Sequence, residues 1–132
     1  MRNGSRLTVL CFLTMFILNC GGSRPSDTVK KYFESADKGD LDGTMKLVSA
    51  RRTAASSDLT IAKGEIMVLI GTLRDEGGVK SLEIAKEKVD GDSAQVDVKL
   101  YVNKGPTEDL SYRLVKEAGA WKMEDMVLAP LK

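Results

Sequence analysis

The sequence predicts an α+β protein in which about three helices come first and a four-stranded antiparallel sheet follows. Two observations lead to this prediction. Between Val29 and Leu73 the apolar residues recur with the period of a helix, whereas from Val79 onward they alternate with polar residues, which is the period of a strand. The chain has 132 residues, of which 42% are apolar and 30% charged. One globular domain is expected, and separate helical and strand regions are typical of the α+β class.

The N-terminal segment is typical of a bacterial export signal. Arg2 and Arg6 are positively charged, no acidic residue occurs before Asp27, and residues 7–18 form an apolar run. A helix that spans a bilayer needs about 20 apolar residues. Because this run is shorter, we expect residues 1–19 to be a signal peptide that is removed rather than a permanent anchor.

The residues before Cys20 indicate how the signal is processed. Ile17 and Asn19 do not match the Ala-x-Ala pattern of ordinary cleavage. The segment instead resembles a lipoprotein signal, in which a branched apolar residue, here Ile17, precedes a short stretch that ends in the lipidated cysteine, here Cys20. Asn19 stands where that signal usually has Gly, Ala or Ser. Gly21 is not the aspartate that retains lipoproteins in the inner membrane of enteric bacteria, so by analogy the outer membrane is expected.

The expected mature chain has two parts. Residues 20–25 form the lipidated cysteine and a flexible tether, and residues 26–132 form the domain. Cys11 leaves with the signal, so Cys20 has no partner for a disulfide. Two of the 20 basic side chains also leave, and the 19 acidic side chains then outnumber the basic ones by one. With no basic stripe either, nucleic acid is excluded as a partner, and the membrane is reached through the lipid in the cell envelope.

The first two helices are predicted as a hairpin. Ser26 or Asp27 is expected to cap the first helix, and Gly39 is expected to end it. The buried face of this helix is predicted from the i, i+3, i+4, i+7 spacing of Val29, Tyr32, Phe33 and Ala36. A shorter second helix is predicted from Leu41, Met45 and Val48.

A third helix is predicted after a polar loop at residues 51–57. Asp58 is expected to cap it, and Gly77-Gly78 closes it. Residues 66–70 alone would also fit a strand, but the apolar stripe continues on both sides of them, which favours a helix. The stripe consists of Leu59, Ala62, Ile66, Leu69, Ile70 and Leu73.

Four strands are predicted from residue 79 to the C-terminal region. The second is the clearest, because every other residue from Ala94 to Val102 is apolar. Turn residues precede it at 90–92 and follow it at 103–106. The inward positions of the other strands are expected to be Leu82 and Ile84, then Leu110, Tyr112 and Leu114, and finally Trp121 and Met123.

Three segments then carry a family resemblance: SDTVKKYFESADKGDLDGTMKLV, GGVKSLEIAKEKVDGDSAQVDVKLYV and YRLVKEAGAWKMED. They resemble bacterial lipoproteins of the domain of unknown function 4878, within the nuclear-transport-factor-2-like superfamily. The most characteristic segments of this resemblance are the turn at Lys38 to Asp40 and the C-terminal segment from Leu114 to Lys122. The resemblance implies a cystatin-like cone, in which a curved sheet wraps around the helices with room for a pocket. It transfers no catalytic residues.

The residue inventory excludes several kinds of chemistry. The chain has no histidine, and no cysteine remains beside Cys20, which excludes Cys-His and Ser-His-Asp catalysis and zinc sites. The acidic segment Asp37 to Gly43 fits no EF-type calcium loop, because the loop would place Lys38 and Ser49 at ligand positions. A turn with a helix cap is the preferred interpretation. We therefore predict no catalytic residues, no metal and no cofactor.

An enzyme is the alternative interpretation, because the superfamily contains ketosteroid isomerases, which use an acid and a tyrosine in an apolar pocket. Here the inward strand positions are apolar apart from Tyr112 and Trp121, and acids such as Asp97 are expected on the opposite face. We predict a non-catalytic envelope domain that binds a small apolar ligand or an envelope partner protein. A pocket enzyme of isomerase or hydrolase type remains the alternative.

The candidate ligand-binding residues are aromatic. They are Tyr32, Phe33, Tyr112 and Trp121. These side chains could line a cavity between the helices and a curved sheet, or they could simply fill the core, as aromatic residues do in small domains. The sequence leaves both interpretations open.

Overall fold

The computed structural model describes residues 23–127. The expected signal peptide and the predicted lipidation site Cys20 lie outside these residues. Helix α1 spans Pro25–Asp37, α2 Leu41–Met45 and α3 Ser56–Asp75, with a short 3-10 helix at Ala50–Arg52. The strands are β1 Val79–Asp90, β2 Ser93–Val102, β3 Glu108–Glu117 and β4 Ala120–Val127. They form one antiparallel sheet in the order β1-β2-β3-β4, so the predicted α+β fold, with three helices packed on a four-stranded antiparallel sheet, is confirmed.

Helix α1 begins earlier than the sequence predicted. Neither Ser26 nor Asp27 is the N-cap, because Pro25 already occupies the first helical position and Arg24 stands before it. Proline suits this position, since its missing N–H would have no partner there. Asp27 Oδ2 accepts a 3.0 Å hydrogen bond from the backbone N–H of Arg24. The helix ends as predicted at Gly39, which has a φ of 75°.

The segment after α2 lies along the free edge of β4. Val48 was predicted as part of the second helix, but it lies beyond it and pairs with Met123 as a parallel bridge. The backbone N–H of Ser49 donates to the carbonyl of Met123 over 2.8 Å, and the N–H of Met123 donates to Leu47 over 2.7 Å. Val48 is buried by this pairing rather than by a helix face, and the segment covers part of the sheet edge.

Helix α3 has the predicted apolar stripe, but it starts two residues before Asp58, which lies in its first turn. Ala62, Ile66 and Leu73 are buried, and Leu69 and Ile70 pack against the core. On the outer side Ile61, Met67 and Val68 are 56%, 60% and 70% exposed. The helix is therefore apolar on two sides, and one of them faces solvent.

A bulge in β1 changes which side chains face the helices. Ile84 pairs with Val98, but after the irregularity at residue 85 it is Glu87 that pairs with the core residue Val96. An extra residue in one strand reverses the alternation of its side chains. We expected the alternation to place no acid in the interior; Glu87 lies on the side of the sheet that carries the helices, but it is exposed at the sheet edge rather than buried. Its carboxylate accepts a 2.8 Å hydrogen bond from the N–H of Ser26, at the start of α1.

The core lies between α1, α3 and one face of the sheet. Its members from the helices are Val29, Phe33, Ala36 and Leu73, and those from the sheet are Ala94, Val96, Val98, Leu100, Val102, Tyr112, Leu114, Trp121 and Met123. The other face of the sheet is polar. There Ser111 Oγ donates a 2.6 Å hydrogen bond to Asp97, which lies away from the core as the alternation predicted.

Candidate functional site

An open cleft of about 540 Å³ lies between α1, α3, the middle of β3 and the end of β4. We call it the tyrosine cleft. Its lining residues are Tyr32, Arg52, Gly64, Glu65, Val68, Leu69, Tyr112 and Met126. Helix α3 supplies four of them, because the side of the helix that carries Gly64 and Val68 faces away from the core. The cleft is thus placed where the apolar outer side of α3 meets the sheet.

Three aromatic rings form the inner wall of the cleft. The centroids of Tyr32 and Tyr112 are 6.1 Å apart, and Phe33 lies 5.6 Å from Tyr32 and 5.8 Å from Tyr112. Phe33 meets both tyrosines edge to face, at interplanar angles of 85° and 72°. This arrangement suits the charge distribution of aromatic rings. Phe33 is fully buried, so it holds the two tyrosine rings in place from behind.

The tyrosine hydroxyls have no hydrogen-bond partner within residues 23–127. In that part of the chain, Ser49 Oγ is the side-chain atom that is both fully buried and unpartnered. The hydroxyls of Tyr32 and Tyr112 are therefore not sealed in the core, and they reach the surface of the cleft that both residues line.

Burial keeps both tyrosines protonated. Burial first, and the charge of Glu65 second, raise the pKa of Tyr32 to about 12 against a smaller opposing effect of Arg52. Burial also raises the pKa of Tyr112, with further contributions from Tyr32 and Glu108. A phenolate would lose its hydration in this place, so the neutral form is favoured. At neutral pH both hydroxyls are hydrogen-bond donors.

One ion pair stands at the rim. Arg52 Nη2 lies 2.7 Å from Glu65 Oε2, and the exposed fractions of the two side chains are 26% and 55%. The 3-10 helix brings Arg52 to the third turn of α3. Sequence reasoning did not identify this pair as part of a site. No local pattern connects two charges 13 residues apart when a loop of unknown path lies between them.

The structure separates the four predicted site residues. Tyr32 and Tyr112 line the tyrosine cleft. Phe33 lies behind them and borders a smaller groove of about 330 Å³ between α1 and β1. Trp121 is 6% exposed, packs in the core under Lys116, and lines neither. The cleft residues that sequence reasoning did not select are Arg52, Gly64, Glu65, Val68, Leu69 and Met126.

The sequence contains a signal for the apolar surface at the mouth of the cleft. Val68 and Met67 fall outside the predicted buried stripe of α3, and large apolar residues on the solvent side of a helix indicate a covered or binding surface.

The acidic segment near Asp40 has a structural role, because Asp40 Oδ1 accepts a 2.9 Å hydrogen bond from the N–H of Gly43. Within residues 23–127 there is no group of three or more acidic, histidine or cysteine side chains arranged to hold a metal. In the same range no helix is both long and apolar enough to cross a bilayer.

Solved structures share the fold. A protein from Campylobacter jejuni described as an NTF2-like transpeptidase has a TM-score of 0.66 and 20% identity, over 78% of this chain and 99% of that one. A SEC-C motif containing protein from Rhodopseudomonas palustris has a TM-score of 0.52 and 13% identity, over 74% and 72%. A de novo designed NTF2 fold protein has a TM-score of 0.51 and 15% identity, over 78% and 85%. These identities are too low to indicate more than the fold.

The sequence comparisons lead to a family. No curated protein matches the chain at a significant level. Residues 18–124 match the family model described as Domain of unknown function (DUF4878). The match includes all three α-helices and nearly all of the sheet. The chain therefore belongs to the DUF4878 family, and its fold is NTF2-like.

Proposed function

We propose that this protein is a lipid-anchored protein of the bacterial cell envelope whose domain binds a small apolar ligand in the tyrosine cleft without catalysing a reaction. The observation that supports binding is the cleft itself. Its volume of about 540 Å³ lies within the range of small-molecule sites, and apolar side chains with a few polar groups are the usual lining of such sites.

The mouth of the cleft has apolar surface that a ligand would cover. Val68 is 70% exposed and Met126 is 54% exposed. Removing apolar surface from water stabilises a complex by about 25 cal/mol for each Å², so a contact that buries roughly 100 Å² of apolar surface on the cleft and as much on the ligand gains roughly 5 kcal/mol before the entropy of binding is subtracted. Contiguous exposed apolar surface of this kind often marks a ligand-binding groove or an interaction site.

The polar groups of the cleft favour binding over catalysis. Glu65 is more than half exposed and pairs with Arg52, so its carboxylate is solvated and already has a partner. Tyr32 and Tyr112 hold their protons. A general base must take up a proton, and the two phenols already hold theirs, while the carboxylate of Glu65 is held by Arg52.

The second candidate is a pocket enzyme of isomerase or hydrolase type. The position of Glu65 beside Tyr32 favours it, since the charge of this acid is felt by the phenol. The NTF2-like protein from Campylobacter jejuni is described as a transpeptidase, but at 20% identity that description does not carry over. Turnover that is abolished by Glu65→Gln would favour this candidate over simple binding.

The anchor places the domain close to a membrane. Acylated Cys20 would be five residues from Pro25, where α1 begins. An extended chain covers at most about 3.5 Å per residue, so the tether reaches roughly 17 Å. Gly21 after the cysteine supports the outer membrane by analogy with enteric bacteria. A ligand of the envelope, or an envelope partner protein on the outer side of α3, is within reach of a domain held in this way.

A thermal-shift screen of lipids and other apolar metabolites tests the proposal. The protein is residues 20–132 with Cys20→Ser. A ligand at 100 times its dissociation constant should add about 2.7 kcal/mol of stability. Gly64→Leu should abolish the effect, because Gly64 lines the cleft and nothing lies within 4 Å of a Cβ placed there. Gly71→Leu is the matched control, since this glycine is on the same helix and outside the cleft. Stabilisation that survives Gly64→Leu would place the site elsewhere.

A further inference from the structure

Two hydroxyl groups at the wall of the tyrosine cleft are open to a hydrogen-bond partner from outside the protein. Tyr112 is only 7% exposed, yet its hydroxyl has no partner within residues 23–127, and the hydroxyl of Tyr32 has none there either. The two residues are largely buried, but neither hydroxyl is sealed from the open cleft, so water can reach both of them in the free protein. A ligand that displaces this water must supply the partner itself, because the two hydroxyls would otherwise lose their hydrogen bonds.

The protonation state decides which kind of partner is needed. Since burial raises the pKa of both phenols, each carries its proton at neutral pH. A phenol can donate its proton in a hydrogen bond or accept one. Because the two rings are 6.1 Å apart and neither hydroxyl has an acceptor within residues 23–127, one ligand oxygen with two lone pairs is the simplest group that pairs both.

The charges around the cleft disfavour a charged ligand. Arg52 is paired with Glu65 over 2.7 Å, so the positive charge of the rim is already neutralised. The negative charges of Glu65 and Glu108 are close enough to raise the pKa values of Tyr32 and Tyr112. An anionic head group at the hydroxyls would meet the same negative field. A cationic one would find two donors and would have to compete with Arg52 for Glu65.

We infer that the ligand of the tyrosine cleft is an uncharged apolar molecule with an accepting oxygen, such as a ketone or an ester carbonyl, to which Tyr32 and Tyr112 donate hydrogen bonds. This inference rests on the proposed function, because it assigns the polar part of the ligand whose apolar part lies against Val68, Leu69 and Met126. The two tyrosines determine specificity for the head group, and the apolar wall supplies contact area.

Four probes of one size separate these possibilities: butylbenzene, 1-phenylbutan-1-one, 4-phenylbutanoate and 4-phenylbutylammonium. Their dissociation constants are measured by NMR titration of the backbone amides, with the protein as residues 20–132 carrying Cys20→Ser. The ketone should bind about tenfold more tightly than the hydrocarbon, which is the effect of two ordinary hydrogen bonds, and both charged probes should bind more weakly than the ketone.

The tyrosines are then replaced without losing their rings. In the Tyr32→Phe/Tyr112→Phe variant the ketone should bind no better than butylbenzene, while the affinity for butylbenzene stays the same. Each single variant should lose roughly threefold for the ketone, which also covers the case that the double variant does not fold. Tyr101→Phe is the control, because the Tyr101 hydroxyl lies outside the cleft, 3.3 Å from Glu83.

The outcomes test the preference for a carbonyl head group separately from apolar binding in the cleft. Equal affinity for ketone and hydrocarbon, or tightest binding of a charged probe, would overturn the head-group inference and leave apolar binding intact. A ketone preference that persists in the double variant would overturn the assignment to the tyrosines. Failure of all four probes to bind would overturn the proposed function and the inference with it.

Discussion

The hydroxyl of Thr28 donates a 3.1 Å hydrogen bond to the backbone carbonyl of Trp121. Thr28 is in the first turn of α1 and Trp121 is on β4, at one edge of the sheet. From the opposite edge, Glu87 of β1 accepts the N–H of Ser26 in the same turn. The start of α1 is therefore bonded to both edge strands, which is possible only because the sheet curves around the helix.

The first prediction removes one of these bonds. Thr28→Val keeps the shape of the side chain but leaves the buried carbonyl of Trp121 without this donor. We expect the free energy of unfolding to fall by about 1–3 kcal/mol, measured by urea denaturation. Thr60→Val is the control, because its hydroxyl bonds only to Ser56 in its own helix and is exposed. Equal effects of the two changes would mean that the bond to β4 contributes no special stability.

The second prediction concerns the two faces of the sheet. Trp121 is buried in the core, so Trp121→Ala should lower the free energy of unfolding by about 3–5 kcal/mol, a large part of the stability of a small domain. Lys99 points away from the helices and is paired across the strands with Glu83 and Asp109. Lys99→Ala should change stability by less than about 0.5 kcal/mol. Chemical denaturation of both variants would contradict this assignment of faces if it gave similar losses.

The strands of the sheet could be predicted where the alternation of apolar and polar side chains reflects which of them are buried. The alternation in β2 predicted a strand from Ala94 to Val102, and the structure has Ser93–Val102 because this strand has neighbours on both sides. The outer half of β1 could not be predicted in the same way. Its residues from Lys86 to Asp90 are exposed on an edge strand, so backbone bonds to β2 hold them and no apolar pattern marks them. The bulge at residue 85 is a property of the pairing and leaves no local signal.

The candidate site was predictable to the extent that it consists of core residues. Tyr32 and Tyr112 were selected because their spacing put them on inward faces, and both lie at the border between core and cleft. Trp121 had the same kind of signal but lies fully in the core. Arg52 and Glu65 meet only through the path of residues 46–55, which depends on the pairing of Val48 with β4. Such a contact requires the tertiary structure.

A third prediction comes from the turn between β3 and β4. Ala118 has a φ of 51°, in the left-handed region, and is followed by Gly119 at 80°. This two-residue hairpin turn favours Gly or Asn at both positions. Ala118→Gly should raise the free energy of unfolding by up to about 1 kcal/mol, since the strain on the Cβ disappears. Ala120→Gly, two residues later within β4, should lower it instead. Thermal denaturation that gave the same sign for both would contradict the turn assignment.

A fourth prediction concerns the lipid anchor. Mass spectrometry of the protein from a bacterial membrane should find Cys20 as the first residue, with acyl chains attached. A single acyl chain binds a membrane only weakly, whereas several hold a protein firmly. Cys20→Ser should therefore release the protein from the membrane fraction, and Cys11→Ser should not. An intact Met1, or cleavage at another position, would overturn the anchor.

The fifth prediction concerns the stability of the domain at alkaline pH. An unfolded tyrosine ionises near pH 10, whereas in the folded protein the pKa of Tyr32 is raised to about 12 and that of Tyr112 is raised too. Above pH 10 the unfolded chain therefore releases protons that the folded protein retains. Because the unfolded state then binds fewer protons, the free energy of unfolding falls as the pH rises. The stabilisation by the two phenols is complete below pH 10 and is lost as the pH passes the pKa values of the folded protein.

Lysines titrate in the same range, so the informative quantity is the difference between the unmodified domain and a variant that lacks the two phenols. Between pH 8 and pH 11, urea denaturation should give a larger loss of stability for the unmodified domain than for Tyr32→Phe/Tyr112→Phe. Equal losses would mean that the two phenols ionise in the folded state as readily as in the unfolded chain, and that the cleft does not hold them as neutral donors.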